Sequence, residues 1–326
     1  MGAASYWRPS LDTPAANSGT PCCPITGQPP RRHIQTISRS LISDLWRFYQ
    51  RVDVKDLFRT VDRFDMYESP TGLIYFHPPI VGDGKFYDEY YDRWDVHEAL
   101  NYLAESRSDY KRTAEHLQPG DRVVDVGCGP GVFRHHLPHA HYTGLDPYTR
   151  STGDFIVREM LEEHAKTHAG TYDAATAFHV IEHVADPRRH FELMVQLVRP
   201  GGLVVLAAPF HPSPLSEIPN FPINMPPHHV TWWNPDAFRA LAAEFGMDVV
   251  EATVLPPSPH QGQIFWLHRL LAWRTDPLPR DRYYAHRWPW HISIGMAHLL
   301  SKIISRVKRM PPYPRPVDAY LVARKP

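Results

Sequence analysis

The chain has 326 residues, with 35 Lys+Arg set against 35 Asp+Glu and 43% hydrophobic residues. That is length for one large domain with additions or two small ones, and the lack of a basic surplus argues against nucleic acid as a partner. Three cysteines, Cys22, Cys23 and Cys128, cannot build a disulfide framework and suit a reducing, cytoplasmic setting; with no charged-then-apolar start and no run of about 18 apolar residues, neither a secretion signal nor a membrane span is expected.

Residues 1–30 are polar, rich in Pro and Gly and without periodicity, which predicts a disordered tail. From Ile34, the apolar residues Ile37, Leu41, Ile42, Leu45, Trp46 and Tyr49 fall three and four apart and predict an amphipathic helix. Around Gly72-Leu73-Ile74-Tyr75-Phe76, bounded by Pro70 and Pro78-Pro79, aromatic and β-branched residues predict a short strand. Residues 31–94 thus read as an accessory or cap region. A helix over 95–117, with Ala99, Leu100, Leu103 and Ala114 on its apolar side and Pro119-Gly120 at its end, opens a core domain at 95–326.

Within that domain, short apolar runs alternate with helical segments. Val123 to Val126, Tyr142 to Leu145, Ala174 to Phe178 and Leu203 to Ala208 read as buried strands, with a probable-strand segment also at 154–157. Asp186 and Pro187 supply a cap and a first-turn residue for a helix to Val198, and a helix at 235–245 and strands at 248–253 and 319–323 follow. The pattern predicts an α/β fold, a parallel sheet covered on both faces, with a proline-rich insertion at about 255–316.

Asp125-Val126-Gly127-Cys128-Gly129-Pro130-Gly131 follows the first of these strands. Alternate glycines let the backbone turn sharply and approach a ligand where a side chain would collide. A dinucleotide site prefers a further glycine at what is Val132 here, so the spacing favours an adenosyl ligand without a pyrophosphate. Asp146, ending the next strand, is placed to accept hydrogen bonds from ribose hydroxyls. Cys128, with no partner thiol or activating base in sequence, reads as a small loop residue.

These segments resemble class I S-adenosylmethionine-dependent methyltransferases, and among them the ubiquinone-methyltransferase-like small-molecule group. The matching blocks are Val124 to Gly131, Gly144-Leu145-Asp146-Pro147, Tyr172 to Ala175 continuing through Phe178 to Pro187, and Leu197-Val198-Arg199-Pro200-Gly201-Gly202-Leu203. The resemblance implies a Rossmann-like sheet of seven strands, mostly parallel, with helices on both faces and the strand near the C-terminus inserted antiparallel. It implies S-adenosyl-L-methionine as cofactor, with Gly127, Cys128, Gly129 and Gly131 at its methionine and ribose portions, Asp146 on the ribose and Asp125 orienting the loop. Glu159 and Met160 would lie near the adenine, or simply open the helix at 160–167; His179 would border the methionine or the substrate. The family's helix between its second and third strands looks deleted, since only Tyr148 to Gly153 separates them.

Some members of this group carry an N-terminal zinc ribbon. The corresponding segments here, Cys23-Pro24-Ile25-Thr26-Gly27 and Glu68-Ser69-Pro70-Thr71-Gly72-Leu73, retain one cysteine and one carboxylate, short of four donors, so no structural zinc is expected. Tyr90, Tyr91 and Trp94 are candidate lid residues, with domain-packing core the commoner role for such an aromatic cluster.

The implied reaction is methyl transfer to a small-molecule or glycan-like acceptor at oxygen, which needs alignment and a proton acceptor. Among 21 histidines, the pair in Pro226-Pro227-His228-His229, with His229 foremost, then His183 beside Glu182, His179 and His211 are the candidate bases; no metal ligand is assigned. Two rival readings are a non-catalytic adenosyl-binding subunit and a nicotinamide-dependent oxidoreductase. At 291–309, Ile292, Met296, Leu299, Leu300, Ile303, Ile304 and Val307 recur at helical spacing beside Lys302, Arg306, Lys308 and Arg309. Such a helix lies on anionic lipid, which would suit a lipid-linked acceptor, or packs on its own domain or a dimer partner, the commoner arrangement.

Overall fold

The computed structural model describes residues 20–94, 104–151, 153–258, 261–275, 282–308, 311 and 315–326. Its smaller sheet begins with β1 (Arg32–Ser38), β2 (Arg63–Glu68) and β3 (Ile74–His77), an antiparallel meander that pairs Ile37 with Phe64 and Met66 with Phe76. The segment from Ile34 to Ser38 is therefore a strand, not the first turns of a helix. The β-branched Ile34, Thr36 and Ile37 find a partner strand in β2, and that non-local pairing overrides the local period. The helix starts later, as α1 (Arg39–Leu45), where the Ser38 hydroxyl accepts from the Leu41 amide at 3.2 Å. Leu41, Ile42, Leu45 and Trp46 pack on the sheet together with Phe86 and Tyr90 of α2 (Gly84–Trp94).

The larger sheet has seven strands. After a single 3-10 turn at Ala104–Ser106 and α3 (Ser108–Ala114) come β4 (Arg122–Val126), β5 (His141–Leu145) and β6 (Ile156–Val157). Arg107 between the turn and α3 is extended, so 104–117 is not one continuous helix; 95–103 lie outside the described residues. Then follow α4 (Leu161–His168), β7 (Tyr172–Phe178), α5 (Pro187–Leu197), β8 (Val198–Pro209), β9 (Thr231–Trp232), α6 (Pro235–Glu244) and β10 (Asp248–Leu255). The insertion holds α7 (Gly262–Leu270) and α8 (Trp288–Val307), and β11 (Asp318–Arg324) closes the sheet.

Strand order is β10-β11-β8-β7-β4-β5-β6. β4 through β8 pair in parallel and β11 runs antiparallel between β8 and β10, the expected Rossmann-like arrangement. Alternate side chains face opposite layers: Val124, Ala175, Val204 and Leu206 meet Phe191, Met194 and Phe238 on one side, while Val123, Ala174 and Val205 meet Tyr110 and Phe133 on the other. The cap expected at Asp186 forms, its carboxylate accepting from the Arg189 amide at 2.9 Å. Between Leu145 and Ile156 the described residues form no helix. Because the chain leaves β4 toward β5 on one side and β7 on the other, a crevice opens at the carboxyl ends of these strands.

Two boundaries differ from expectation. Cys23 and Ile25, read as part of a tail, are 1% and 0% exposed in the main core, where Arg188 donates to the Ile25 carbonyl at 2.9 Å. The accessory sheet is not confined to 31–94 either, because β9 pairs with β3, Ile74 opposite Trp232 and Tyr75 opposite Thr231. Tyr283 and Tyr284 of the insertion pack into the same accessory core. On α8, the face turned inward carries Trp290, Ser293, Ile294, Ala297 and Ser301, whereas Ile292, Met296, Leu299, Leu300, Ile303 and Val307 are exposed. The helix packs on its own domain through the inward face, Ile294 and Ala297 meeting Leu267 and Leu271, while the apolar stripe is left exposed. Among the described residues no helix is long and apolar enough to cross a membrane.

Candidate active site

The glycine loop leaves β4 and curls back on β5. The Gly127 and Cys128 amides donate to the Leu145 carbonyl at 2.7 and 3.3 Å. Gly127 has φ +69°, and a Cβ there would meet Val180 at 2.4 Å, so the alternate glycines are a backbone requirement. Asp146 is the loop's anchor. One carboxylate oxygen accepts from the Gly129 amide at 2.9 Å, the other from the Tyr148 and Thr149 amides at 2.8 and 2.9 Å. A carboxylate has about four acceptor positions, so about one remains for a ribose hydroxyl, fewer than a purely ligand-binding role would leave.

Asp125 and Gly131 do not line the cleft. The Asp125 carboxyl accepts from Tyr142 and Thr176, each at 2.8 Å, tying β4 to β5 and β7. Burial pushes it up to about 7, against the pull of those two hydroxyls. A Cβ on Gly131 would meet Phe155 instead of open space. Gly127, Cys128, Gly129, Asp146, Glu159, Met160 and His179 do border the cleft, whose volume is about 830 Å³, within the usual range for small-molecule sites. Glu159 is engaged by His164, whose Nδ1 lies 2.5 Å from its carboxylate, and burial raises the Cys128 thiol out of the reactive range. The cleft, the positive-φ glycines and the remaining acceptor position of Asp146 fit an adenosyl ligand.

α2 roofs this space. Arg150, just beyond Asp146, pairs with Asp92 and with Asp88 at 3.2 Å, holding the helix over the glycine loop. Tyr90 and Tyr91 line the cleft, and Tyr90 also packs edge-on against Trp46, so the lid and core roles coincide. The side chain of Trp94 lies outside the described residues.

Opposite the loop, His179 follows β7 with φ +58°, a left-handed backbone uncommon outside glycine. Its Nε2 is 3.7 Å from Asp109 and from Asp318, and its Nδ1 is 3.6 Å from Glu182. Burial works to lower the imidazole, but these carboxylates outweigh it and raise the pKa. Arg107 binds Asp109 through Nε at 3.1 Å and through a second guanidinium nitrogen, and burial pushes Asp318 up to about 6. No motif or spacing marks Arg107, Asp109 or Asp318 in the sequence.

Beside this group, Glu182 and His183 sit in a 3-10 turn clamped to the segment before β9: the Val230 amide donates to the Glu182 carbonyl at 2.8 Å and His183 Nδ1 to the His228 carbonyl at 2.7 Å. His183, His228 and His229 thereby converge, with ring centroids 4.3 to 4.8 Å apart. Burial lowers the pKa of all three, the reverse of His179. His211 is elsewhere, packed on Trp232 and buried outside the cleft lining. Asn224, which carries no sequence signal, is brought in with the His228-His229 pair by the loop before β9.

A parallel sheet that reverses direction beside a glycine loop, with an acid ending the next strand, defines a Rossmann-like adenosyl-binding fold. Residues 96–252 match the family described as Methyltransferase domain, for which the implied cofactor is S-adenosyl-L-methionine. The chain is 38% identical over 99 residues to the Ubiquinone biosynthesis O-methyltransferase of Cronobacter sakazakii, covering 26% of this chain and 41% of that protein. The protein of the same name from Escherichia coli K12 is 38% identical over 97 residues, 26% of this chain and 40% of its own. The chain thus spans about two fifths of the curated relatives it matches. A solved SAM-dependent methyltransferase from Archaeoglobus fulgidus aligns with 74% of this chain and 100% of its own at 18% identity and a TM-score of 0.44.

Proposed function

We propose that the chain transfers a methyl group to an oxygen of a hydroxylated small-molecule or glycan-like acceptor, with His179 as the proton acceptor. When bound, S-adenosylmethionine supplies an electrophilic methyl on a sulfonium. The glycine loop and Asp146 hold the adenosyl end, and α2 excludes water from above. The observation that carries the reading is His179: it borders the same cleft as Asp146, is 30% exposed there, and has three carboxylates within 3.7 Å to stabilise its protonated ring. His229 is 6% exposed, and its proton affinity is lowered rather than raised, which makes it the poorer base. The likeness to proteins named O-methyltransferases supports oxygen as the acceptor atom. His179→Ala should retain S-adenosylhomocysteine binding in calorimetry while losing turnover in a panel of hydroxylated acceptors; weakened binding with unchanged turnover would refute the assignment.

The exposed stripe of α8 supports an acceptor met at a lipid surface. Six apolar residues on one face, with Trp288 78% exposed at one end and Arg306 and Lys308 at the other, have the composition of a helix lying in an anionic interface. Binding to anionic but not neutral vesicles is the expected result, and binding to neither would remove it.

A further inference from the structure

Two groups of histidines and carboxylates among the described residues approach metal-ligand spacing: Glu159, His164 and His168, and His183, His228 and His229. The first is already satisfied, since His164 uses Nδ1 on Glu159 and Nε2 on the Tyr172 hydroxyl, at 2.5 and 2.8 Å. The second is different.

His183 Nδ1 faces the His228 carbonyl at 2.7 Å, and His228 Nδ1 faces the Ile223 carbonyl at 3.1 Å. His229 Nδ1 lies 3.1 Å from the Asn224 side-chain oxygen, and that amide is oriented by its own nitrogen donating to the Leu215 carbonyl at 3.1 Å. Carbonyl oxygens only accept, so every Nδ1 carries the proton and every Nε2 carries a lone pair. Outer hydrogen bonds of this kind fix the tautomer and ring orientation of metal-ligating histidines. In the same place Glu182 is 1% exposed, and neither carboxylate oxygen has a hydrogen-bond partner. A buried carboxylate without a hydrogen bond is expensive; its charged neighbour His179 stands 3.6 Å away, and a cation is a partner that the three lone pairs also seek. Glu182 Oε1 lies 3.7 Å from His183 Nε2 and 4.0 Å from His229 Nε2, and the histidine ligand atoms lie within 4.8 Å of one another. A tetrahedral ion bound at about 2.0–2.1 Å sets its ligands ~3.3 Å apart, so the three imidazoles would draw inward and Glu182, beside His183 and His229, would swing in as the fourth.

We propose that His183, His228, His229 and Glu182 form a binding site for a divalent transition-metal ion on the acceptor side of the cleft. Three imidazoles and one carboxylate suit zinc, cobalt, iron or nickel, and not magnesium or calcium, which take oxygen shells. All four residues border the cleft, so expansion from four to five ligands would admit an acceptor oxygen from that side. That last extension rests on the methyl-transfer reading; the metal site does not.

The test uses the full chain, stripped with a chelator and equilibrated with Zn²⁺ or Co²⁺. Expected are one tightly held equivalent by elemental analysis and the visible d–d bands of low-symmetry Co²⁺. His228→Gln and Glu182→Gln should each weaken Zn²⁺ by about 100-fold or more, whereas His168→Gln should not. S-adenosylhomocysteine binding reports separately on the cofactor half: its loss with metal retained would sink the methyl-transfer reading alone. Zn²⁺ binding weaker than about millimolar in the wild-type chain, or one equivalent undiminished in both variants, would overturn the site. Should the variants not fold, the wild-type Co²⁺ spectrum decides, since bands without nitrogen ligation or no bands at all refute it.

Discussion

Replacing Asp146 by asparagine keeps the volume of the side chain and changes only what its outer atoms do. The aspartate accepts three backbone amides, from Gly129, Tyr148 and Thr149. An asparagine oxygen can keep the Tyr148 and Thr149 pair, but its NH₂ must then face the Gly129 N–H, donor against donor. Leaving that half-buried amide unpaired costs about 1–3 kcal/mol, and the lost charged acceptor for a ribose hydroxyl about 1.5–3 kcal/mol more in the complex. S-adenosylhomocysteine should therefore bind about 10- to 150-fold more weakly, while urea unfolding shows a stability loss of about 1–3 kcal/mol. Calorimetric titration and urea melts on the same preparation separate the two. Reduced stability with unchanged ligand affinity would make Asp146 a loop fastener only, and would refute the ribose assignment.

Gly127→Ala should destabilise by about 1–2 kcal/mol from the left-handed backbone, and more from the 2.4 Å approach to Val180, with cofactor binding lost before the fold is, as calorimetry and thermal melting would show. For His179→Gly, relief of the positive φ should offset part of the lost side-chain contacts, while turnover falls about 10²- to 10⁴-fold; full activity would exclude His179 as the proton acceptor. His211 has a folded pKa lowered by burial from 6.5 to about 4, so the unfolded chain takes up its proton first: stability is fully present above pH 6.5 and falls as pH drops from 6.5 toward 4, by up to about 1.4 kcal/mol per pH unit. His211→Leu should flatten that part of the pH–stability curve, and an unchanged slope would mean that the ring titrates normally. Leu299→Glu with Ile303→Glu should weaken anionic-vesicle binding roughly tenfold or more without changing S-adenosylhomocysteine affinity, read by sedimentation and calorimetry.

The cofactor half was legible because its signals are local. Apolar runs ending in Gly127-Cys128-Gly129, the acid Asp146, and the Asp186-Pro187 cap each declare themselves within a few residues, and all fall on one sheet edge. Even there, the division of labour was hidden: whether Asp125 meets ligand or the Tyr142 and Thr176 hydroxyls depends on neighbouring strands. The opposite wall of the cleft is assembled from distance. Asp109, His179, His229 and Asp318 are brought together by strand order rather than by spacing in the sequence. Cys23 and Ile25 look like tail because two apolar residues among prolines and glycines carry no period, and only the socket beside Arg188 explains them. The Ile34 segment misled for a related reason, since Ile34 and Ile37 satisfy a helical spacing until β2 is there to pair with.

The short strand β9 has an outcome for how such a chain can change over time. Its two residues stand one residue beyond His229 and are hydrogen-bonded into the sheet built by residues 32–77, while the Phe76 amide donates to the intervening Val230 carbonyl at 3.0 Å. The histidine loop is thus held by the N-terminal segment, outside the stretch 96–252 that carries the family likeness. An exchange or drift of the N-terminal sheet would re-aim the acceptor side while leaving the glycine loop and Asp146 as they are. Conversely, the family segment excised by itself would keep the cofactor loop but leave β9 an unpaired edge. The loop that carries His228 and His229 is thus tied to a different part of the sequence from the glycine loop, with β9 as the joint between them.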